Sequence, residues 1–291
     1  MTPSGATAYA APVLAIDIGA TKIDAAVVET DCSLRDRRRL LLAELDDVAS
    51  ALVSLVRDMA SAHQVAVVGV GCAGPMTDHG ATVSPVNIDQ WREFPLRDVL
   101  RESTGRDVFI EGDARALALS EGAVGAARGQ RSYLSMVVSS GIGGGIVLNG
   151  GLLDGESGNA GHVGHLTVVP GGRLCHCHSR GCLEAEASGI AIEAKTGRPP
   201  READDSVRRQ VGELVGRAVG TLASVLDFTK CYVAGSVALG YGDVFFNSAN
   251  EAATRVSTMP YTRGLTIERS GLDADGPLLG AAYVGWLGVE S

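Results

Sequence analysis

PVLAIDIGATKIDAAVVET, residues 12–30, has an apolar segment on each side of a short turn. The apolar, β-branched character of both segments predicts the two strands of a hairpin. Gly19 is expected to supply a turn conformation that other residues adopt only at a cost. The same order recurs in residues 134–155, where LSMVVSS, GIGGGIVLNG and GGLLDG predict strand, glycine-rich turn and strand. The repetition indicates a weak internal duplication.

The segments that follow each predicted hairpin alternate between helical and strand patterns. Predicted strands lie at 33–42, 65–74, 107–112 and 231–235, and predicted helices at 46–62, 95–104, 113–125, 203–227 and 277–291. This order predicts an α/β protein of two lobes with a central cleft. We expect an N-terminal lobe over residues 1–125 and a C-terminal lobe over 126–276. The helix at about 277–291 is expected to pack back on the first lobe.

Composition limits the classes of function. The chain has 291 residues, 45% hydrophobic residues and a net charge of -9. The acidic balance argues against a nucleic-acid surface, and no apolar run reaches the length of a membrane span. The first dozen residues lack the pattern of a secretory signal, and six cysteines without a disulfide-like framework fit a reducing compartment. We therefore expect a cytoplasmic protein.

Histidines and cysteines crowd into residues 162–182. The spacing of His165, Cys175, Cys177 and Cys182 offers one imidazole and three thiolates, the donor set of a closed structural zinc site. His176 and His178 are alternative ligands, and a redox thiol pair is the alternative chemistry. Glu184 follows the last cysteine, so the metal would fix a carboxylate beside it.

Two glycine-containing turns occupy corresponding places in the two halves. The first, from Asp17 to Lys22, combines a carboxylate, a hydroxyl, an ammonium group and backbone amides, which suits phosphate oxygens and a hydrated Mg²⁺. The second runs from Ser139 to Gly145. Either turn alone could be an ordinary hairpin turn. Together they predict both sides of a nucleoside triphosphate site that is not a Walker motif.

Six ordered motifs carry a resemblance to a known family. They are the turn at 17–22, AGP at 73–75, EGDARALALSEG at 111–122, SGIGGGIVLNG at 140–150, GNAGHVGH at 158–165 and CHCHSRGCLE at 175–184. In this order, over residues 12–288, the chain resembles the ROK family of bacterial sugar kinases, which includes glucokinases, N-acetylmannosamine kinases and sugar-responsive repressors. The resemblance implies an actin-like, RNase H-like ATPase fold, ATP with Mg²⁺, a sugar substrate and a homodimer.

The resemblance also implies roles for single residues. Asp113 matches the general base that accepts the proton of the sugar 6-hydroxyl, although it could instead be a helix N-terminal carboxylate. The implied sugar contacts are Gly74, Asn87, Gly112, Asp113, His162, His165 and Glu184. The implied ATP and Mg²⁺ contacts are Asp17, Gly19, Ala20, Thr21, Lys22, Ser140, Gly141 and Gly235.

Four positions depart from the family pattern. Ala20 and His178 stand where members usually have Gly, Gly112 stands for Asn, and His162 stands for Glu. Because Gly112 and His162 fall where the family binds sugar hydroxyls, these departures bear on the identity of the sugar, and two interpretations compete. An amino- or N-acyl-hexose is one candidate, and glucose with His162 as a partner is the other. His162 could also merely pack beneath the zinc loop.

Two further functions compete with an ATP-dependent hexose kinase. A repressor of this family needs a DNA-binding module of roughly 60 to 80 residues ahead of the ATPase lobes, and we do not expect one here because Asp17 lies near the start of the sequence. A degenerate kinase that binds sugar without turnover is suggested by Gly112 and His162. Retention of Asp113, both turns and the zinc set favours the kinase.

Overall fold

The computed structural model describes residues 11–85, 88–272 and 274–290. Within them the chain divides into two compact units. The N-terminal unit comprises residues 11–120, 154–160 and 274–290, and the C-terminal unit comprises 121–153 and 161–272. Segment 154–160 thus belongs to the N-terminal unit although it is flanked in sequence by the other. Asn87 lies outside the described residues.

The N-terminal unit is built on a five-stranded sheet of order β3-β2-β1-β4-β7. Its strands are β1 (Val13–Ile18), β2 (Lys22–Val28), β3 (Leu34–Leu41), β4 (Val67–Cys72) and β7 (Asp107–Gly112). β1 to β3 are antiparallel neighbours, whereas β1, β4 and β7 run parallel. The carboxyl ends of these three parallel strands therefore meet at one edge of the sheet. A separate small hairpin pairs β5 (Met76–Thr77) with β6 (Thr82–Val83).

Helices cover this sheet. The helices of the unit are α1 (Val48–Ala62), α2 (Leu96–Thr104), α3 (Asp113–Ala123) and α9 (Gly276–Glu290). The last three residues of α3 belong to the C-terminal unit. One face presents buried Leu14, Ile16 and Val70 to the core shared with α1 and α2. α9 packs on β1, β4 and β7. A Cβ at Gly69 would lie 2.0 Å from the Ala281 carbonyl oxygen, so only glycine permits this approach of helix and strand.

The C-terminal unit repeats the strand order with a second five-stranded sheet, β10-β9-β8-β11-β12. Its strands are β8 (Tyr133–Val138), β9 (Ile142–Leu148), β10 (Gly151–Leu152), β11 (Lys230–Ala234) and β12 (Thr266–Arg269). Its helices are α4 (Leu183–Ala187), α5 (Gly189–Thr196), α6 (Asp205–Leu226), α7 (Ser236–Tyr241) and α8 (Asp243–Val256). The matching orders, with β8 and β9 antiparallel like β1 and β2, agree with the internal duplication expected from sequence.

Short 3-10 turns complete the described secondary structure. They are Leu42–Glu44, Val163–His165, Pro200–Glu202 and Pro260–Thr262. The turn Val163–His165 carries one of the predicted zinc ligands.

The α/β class and both hairpins are confirmed, and one expectation about the first turn is wrong. Gly19 does not adopt a left-handed φ, and a Cβ there would make only an ordinary 3.5 Å contact with the Lys22 carbonyl oxygen. The turn is instead closed by a backbone hydrogen bond of 3.0 Å from the Gly19 amide to that oxygen. Across the described residues, no helix combines the length and apolar character that a bilayer crossing requires.

Candidate functional site

Two carboxylates lie at the edge where the parallel strands end. Asp17 on β1 is in register with Gly71 on β4, and Asp113 begins α3 directly after β7. A Cβ at Gly71 would lie 3.5 Å from the Asp113 Cα and 3.7 Å from Asp17 Oδ1. Both distances are ordinary van der Waals contacts, so Asp17 and the start of α3 lie on either side of Gly71. The sequence therefore brings two of its predicted functional carboxylates to one place.

This placement changes the acidity of Asp17. Burial, followed by repulsion from Asp113 and Asp24, raises the pKa of Asp17 to about 7. An ionised Asp17 is therefore held at a cost near neutral pH. A divalent cation at this carboxylate would offset that cost, and carboxylate oxygen is the ligand that Mg²⁺ prefers. The residues present thus fit the predicted Mg²⁺ contact.

A charged cluster continues the same row across the sheet. Asp17 is in register with Asp24 on β2, which is in register with Arg39 on β3. Asp24 is 2% exposed, and it accepts hydrogen bonds from Arg39 Nε at 2.6 Å and Lys22 Nζ at 2.7 Å. Although burial alone would raise it, these bonds hold the pKa of Asp24 at about 2. Lys22, predicted to contact phosphate, is in this structure ion-paired with Asp24.

The space beside Gly112 is occupied by an arginine that the sequence analysis did not single out. A Cβ at Gly112 would lie 3.3 Å from the Arg115 Cδ. The Arg115 guanidinium donates to both carboxylate oxygens of Glu111, at 2.7 and 2.9 Å, and to Asp154 Oδ1 at 2.9 Å. It also donates to the Ala160 carbonyl oxygen at 2.8 Å. Arg115 thus fixes segment 154–160 on the N-terminal unit and fills the volume that a side chain at position 112 would need.

The other predicted contacts of the N-terminal unit lie in loops. Ala20 and Thr21 form the tip of the β1–β2 turn, and the Thr21 carbonyl oxygen accepts from the Leu42 amide at 3.0 Å. Gly74 follows β4 and precedes Pro75 through a cis peptide bond.

In the C-terminal unit, the predicted nucleotide residues meet at the ends of β8 and β11. Ser140 and Gly141 form the turn between β8 and β9. Gly235 has φ 101°, and a Cβ there would lie 2.4 Å from the Val138 carbonyl oxygen, so this position requires glycine. The Ser139 hydroxyl lies 3.0 Å from the hydroxyl of Ser236, the first residue of α7. The glycine-rich turn and the turn after β11 are thereby held side by side.

The predicted zinc ligands form a cluster. Ligand atoms of His165, Cys175, Cys177 and Cys182 all lie within 4.8 Å of one another. His165 Nδ1 is 3.6 Å from Cys175 Sγ, and Cys177 Sγ is 3.6 Å from Cys182 Sγ. A tetrahedron with bonds of about 2.3 Å has edges of about 3.7 Å, so the donors fit a structural zinc ion. Its four positions would be filled by protein atoms, which leaves none for water activation.

The other three histidines of this segment are not members of the cluster. His176 and His178 are exposed and are not members of the cluster. His178 has φ 66°, a left-handed conformation in which glycine is less strained, which explains why glycine suits this position. The His162 ring is stacked with the His165 ring at a centroid distance of 6.1 Å. Glu184 lies in the first turn of α4, two residues after the ligand Cys182.

Comparison with known proteins finds similar chains and similar solved structures. The ROK family model matches residues 13–285. An N-acetylmannosamine kinase from Pasteurella multocida is 31% identical, over 93% of this chain and 95% of its own. The crystal structure of a ROK hexokinase from Thermus thermophilus matches with a TM-score of 0.81 and 35% identity, over 96% of this chain and 99% of its own.

A second similar solved structure contains a sugar and a nucleotide analogue. It is a ROK family glucokinase from Streptomyces griseus in complex with glucose and AMPPNP, with a TM-score of 0.81 and 28% identity, over 94% of this chain and 99% of its own. Matches of this extent, together with the duplicated sheets and the cysteine and histidine cluster, identify this chain as a member of the ROK family.

Proposed function

We propose that the protein transfers the γ-phosphoryl group of ATP to the 6-hydroxyl of a hexose or amino-hexose. The observation that carries this proposal is the pair Asp17 and Asp113 on either side of Gly71. One carboxylate suits a cation at the phosphates and the other suits a sugar hydroxyl. The sugar and aminosugar kinases among the relatives support the same reaction.

The proposed step needs an oriented nucleophile and a proton acceptor. The sugar oxygen forms a bond to the γ-phosphorus while the bond to the bridging oxygen breaks, and ADP leaves with that electron pair. The hydroxyl proton moves to the Asp113 carboxylate. Mg²⁺, when bound, neutralises charge on the phosphate oxygens. Asp17 would hold it, and the turns at 19–22 and 140–141 would position the phosphates with Gly235 near the adenosine.

The sugar contacts proposed are those that the resemblance implies. They are Gly74, Asn87, Gly112, Asp113, His162, His165 and Glu184. Gly112 offers no side-chain amide, and the donors of the neighbouring Arg115 are engaged by Glu111 and by segment 154–160. We therefore propose a substrate other than glucose, an amino- or N-acyl-hexose. Glucose phosphorylation with His162 as the hydroxyl partner is the alternative.

Replacement of Asp113 by Asn tests the mechanism. Asp113→Asn keeps the size of the side chain but cannot accept the proton, so turnover should fall at least about 100-fold while sugar affinity changes little. The matched control is Asp107→Asn, an exposed carboxylate at the opposite end of β7 whose partner is Arg101. Equal turnover by Asp113→Asn and the control would remove Asp113 from the role of general base.

A further inference from the structure

The turn between β8 and β9 is held by the elements that carry the zinc ligands. At the start of α5, the Gly189 amide donates to the Ser139 carbonyl oxygen at 2.7 Å and the Ile190 amide donates to that of Ser140 at 3.3 Å. α5 directly follows α4, which begins after the ligand Cys182. The first half of the turn is therefore fixed from the side of the cysteines.

A carboxylate from α4 fixes the second half of the turn. Glu184 Oε2 accepts from the Ile142 backbone amide at 3.0 Å. A Cβ at Gly141 would lie 3.0 Å from the same oxygen, so a side chain at this position would press on the carboxylate. Hydrogen bonds to an ionised acceptor are stronger than neutral ones. Glu184 therefore orients the backbone of the residues proposed to contact phosphate.

The histidine side of the cluster makes the third contact. Gly164 lies so close to the turn that a Cβ there would be 2.2 Å from the Ile142 carbonyl oxygen. The next residue is the ligand His165. A zinc ion that joins His165 to Cys182 would thus fix the backbone on both sides of the turn at once.

We propose that the zinc cluster is a positioning device for the donor-phosphate turn, and that Glu184 is the positioning residue that links the two. The proposal rests on the proposed function, in which Ser140 and Gly141 contact the phosphates of ATP. It gives Glu184 a second role, because Oε2 accepts from the Ile142 amide and Oε1 is then the oxygen proposed to contact the sugar. Since the contacts lie within the C-terminal unit, nucleotide affinity should depend on zinc and on Glu184 even without sugar.

Binding of AMPPNP with Mg²⁺, measured by calorimetry without sugar, tests this dependence. Glu184→Ala removes the acceptor for the Ile142 amide and should weaken AMPPNP binding about tenfold. Glu184→Gln keeps an acceptor oxygen and should stay within about threefold of the unchanged protein. Glu193→Ala, an exposed carboxylate on α5, is the matched control and should have no effect. Zinc content and circular dichroism are measured for every variant.

Hydrogen exchange supplies a readout that does not depend on catalysis. The Ile142 amide should exchange at least about tenfold faster in Glu184→Ala and in chelator-treated protein than in the zinc-loaded protein, because its acceptor is lost or mobile. If zinc removal unfolds the chain, the exchange rate of the Ile142 amide in the zinc-loaded Glu184→Ala variant tests the proposal.

The outcomes separate the two proposals. Equal AMPPNP affinity and equal exchange in the unchanged protein and in zinc-loaded Glu184→Ala would overturn the positioning role while the proposed function stands. An equal loss of AMPPNP affinity in Glu184→Gln and Glu184→Ala would also overturn the positioning role, because Gln retains an acceptor oxygen for the Ile142 amide. Failure of the unchanged, zinc-loaded protein to bind AMPPNP would instead overturn the proposed function.

Discussion

Replacing Asp17 by Asn should stabilise the protein at neutral pH while it abolishes activity. Burial and the nearby Asp113 and Asp24 carboxylates raise the pKa of Asp17 from 3.8 to about 7. In the unfolded chain the same carboxyl group ionises near pH 3.8, so the folded protein has its full stability below that pH. Between pH 3.8 and about 7 the unfolded chain loses this proton while folded Asp17 keeps it, and the stability of the fold decreases. The difference between these two pKa values corresponds to about 4 kcal/mol of folding free energy.

Urea unfolding without Mg²⁺ at pH 5 and pH 8 measures this contribution. Asn is close in shape to Asp but does not ionise, so Asp17→Asn should gain up to about 4 kcal/mol over the unchanged protein at pH 8 and less at pH 5. The contrasting variant is Asp24→Asn, in the same cross-strand row. It breaks the ion pairs that the buried Asp24 carboxylate makes with the partly exposed Lys22 and Arg39, and it should lose about 1 to 3 kcal/mol at both pH values.

The reasoning about Asp17 would be refuted if Asp17→Asn were no more stable than the unchanged protein at pH 8. A gain of equal size at pH 5 and pH 8 would also refute it, because the stabilisation would then have a cause other than ionisation. Saturating Mg²⁺ should stabilise the unchanged protein at pH 8 and leave Asp17→Asn unaffected.

Three further changes have expected outcomes. Gly112→Asn should lower the free energy of unfolding by about 1 to 3 kcal/mol, and with it the melting temperature, because its Cβ would press on the anchored Arg115. An unchanged melting temperature would mean that Arg115 moves aside freely. His178→Gly should raise stability by about 1 kcal/mol in thermal unfolding, since φ at this position is 66°, and a fall would contradict the strain argument. Chelation of zinc should release one metal ion per chain and lower the melting temperature. A metal-free protein of unchanged stability would show that the cluster of His165 and the three cysteines is not a structural metal site.

Sequence patterns predicted the parts of the fold that depend on local periodicity. The first hairpin, helix α1 and helix α6 are found within a few residues of their predicted bounds. β12 was not predicted, because only one of its four residues, Ile267, is buried and the strand carries no alternation of its own. α4 and α5 were not predicted either, since they are short and follow directly on the zinc segment.

The candidate site was predictable where spacing along the chain carries the chemistry. The zinc ligands come from a short segment, so their types and spacing identified the cluster. The raised pKa of Asp17 depends first on its burial and then on Asp113, which lies distant in sequence and is brought close by the parallel pairing of β1, β4 and β7. Arg115 has contacts to Asp154 and Ala160 that no local pattern indicates. Side chains that meet across the fold are what the sequence alone did not reveal.

Product analysis over a panel of sugars tests the central claim most directly. Zinc-loaded protein is incubated with Mg-ATP and single hexoses, amino-hexoses and N-acyl-hexoses, ADP release is followed, and the phosphorylated position is identified by NMR. We expect ADP and a sugar 6-phosphate in equal amounts for at least one sugar, with an amino- or N-acyl-hexose preferred over glucose. Absence of ADP with every sugar would contradict the kinase assignment, and phosphate at another hydroxyl would contradict the proposed 6-position.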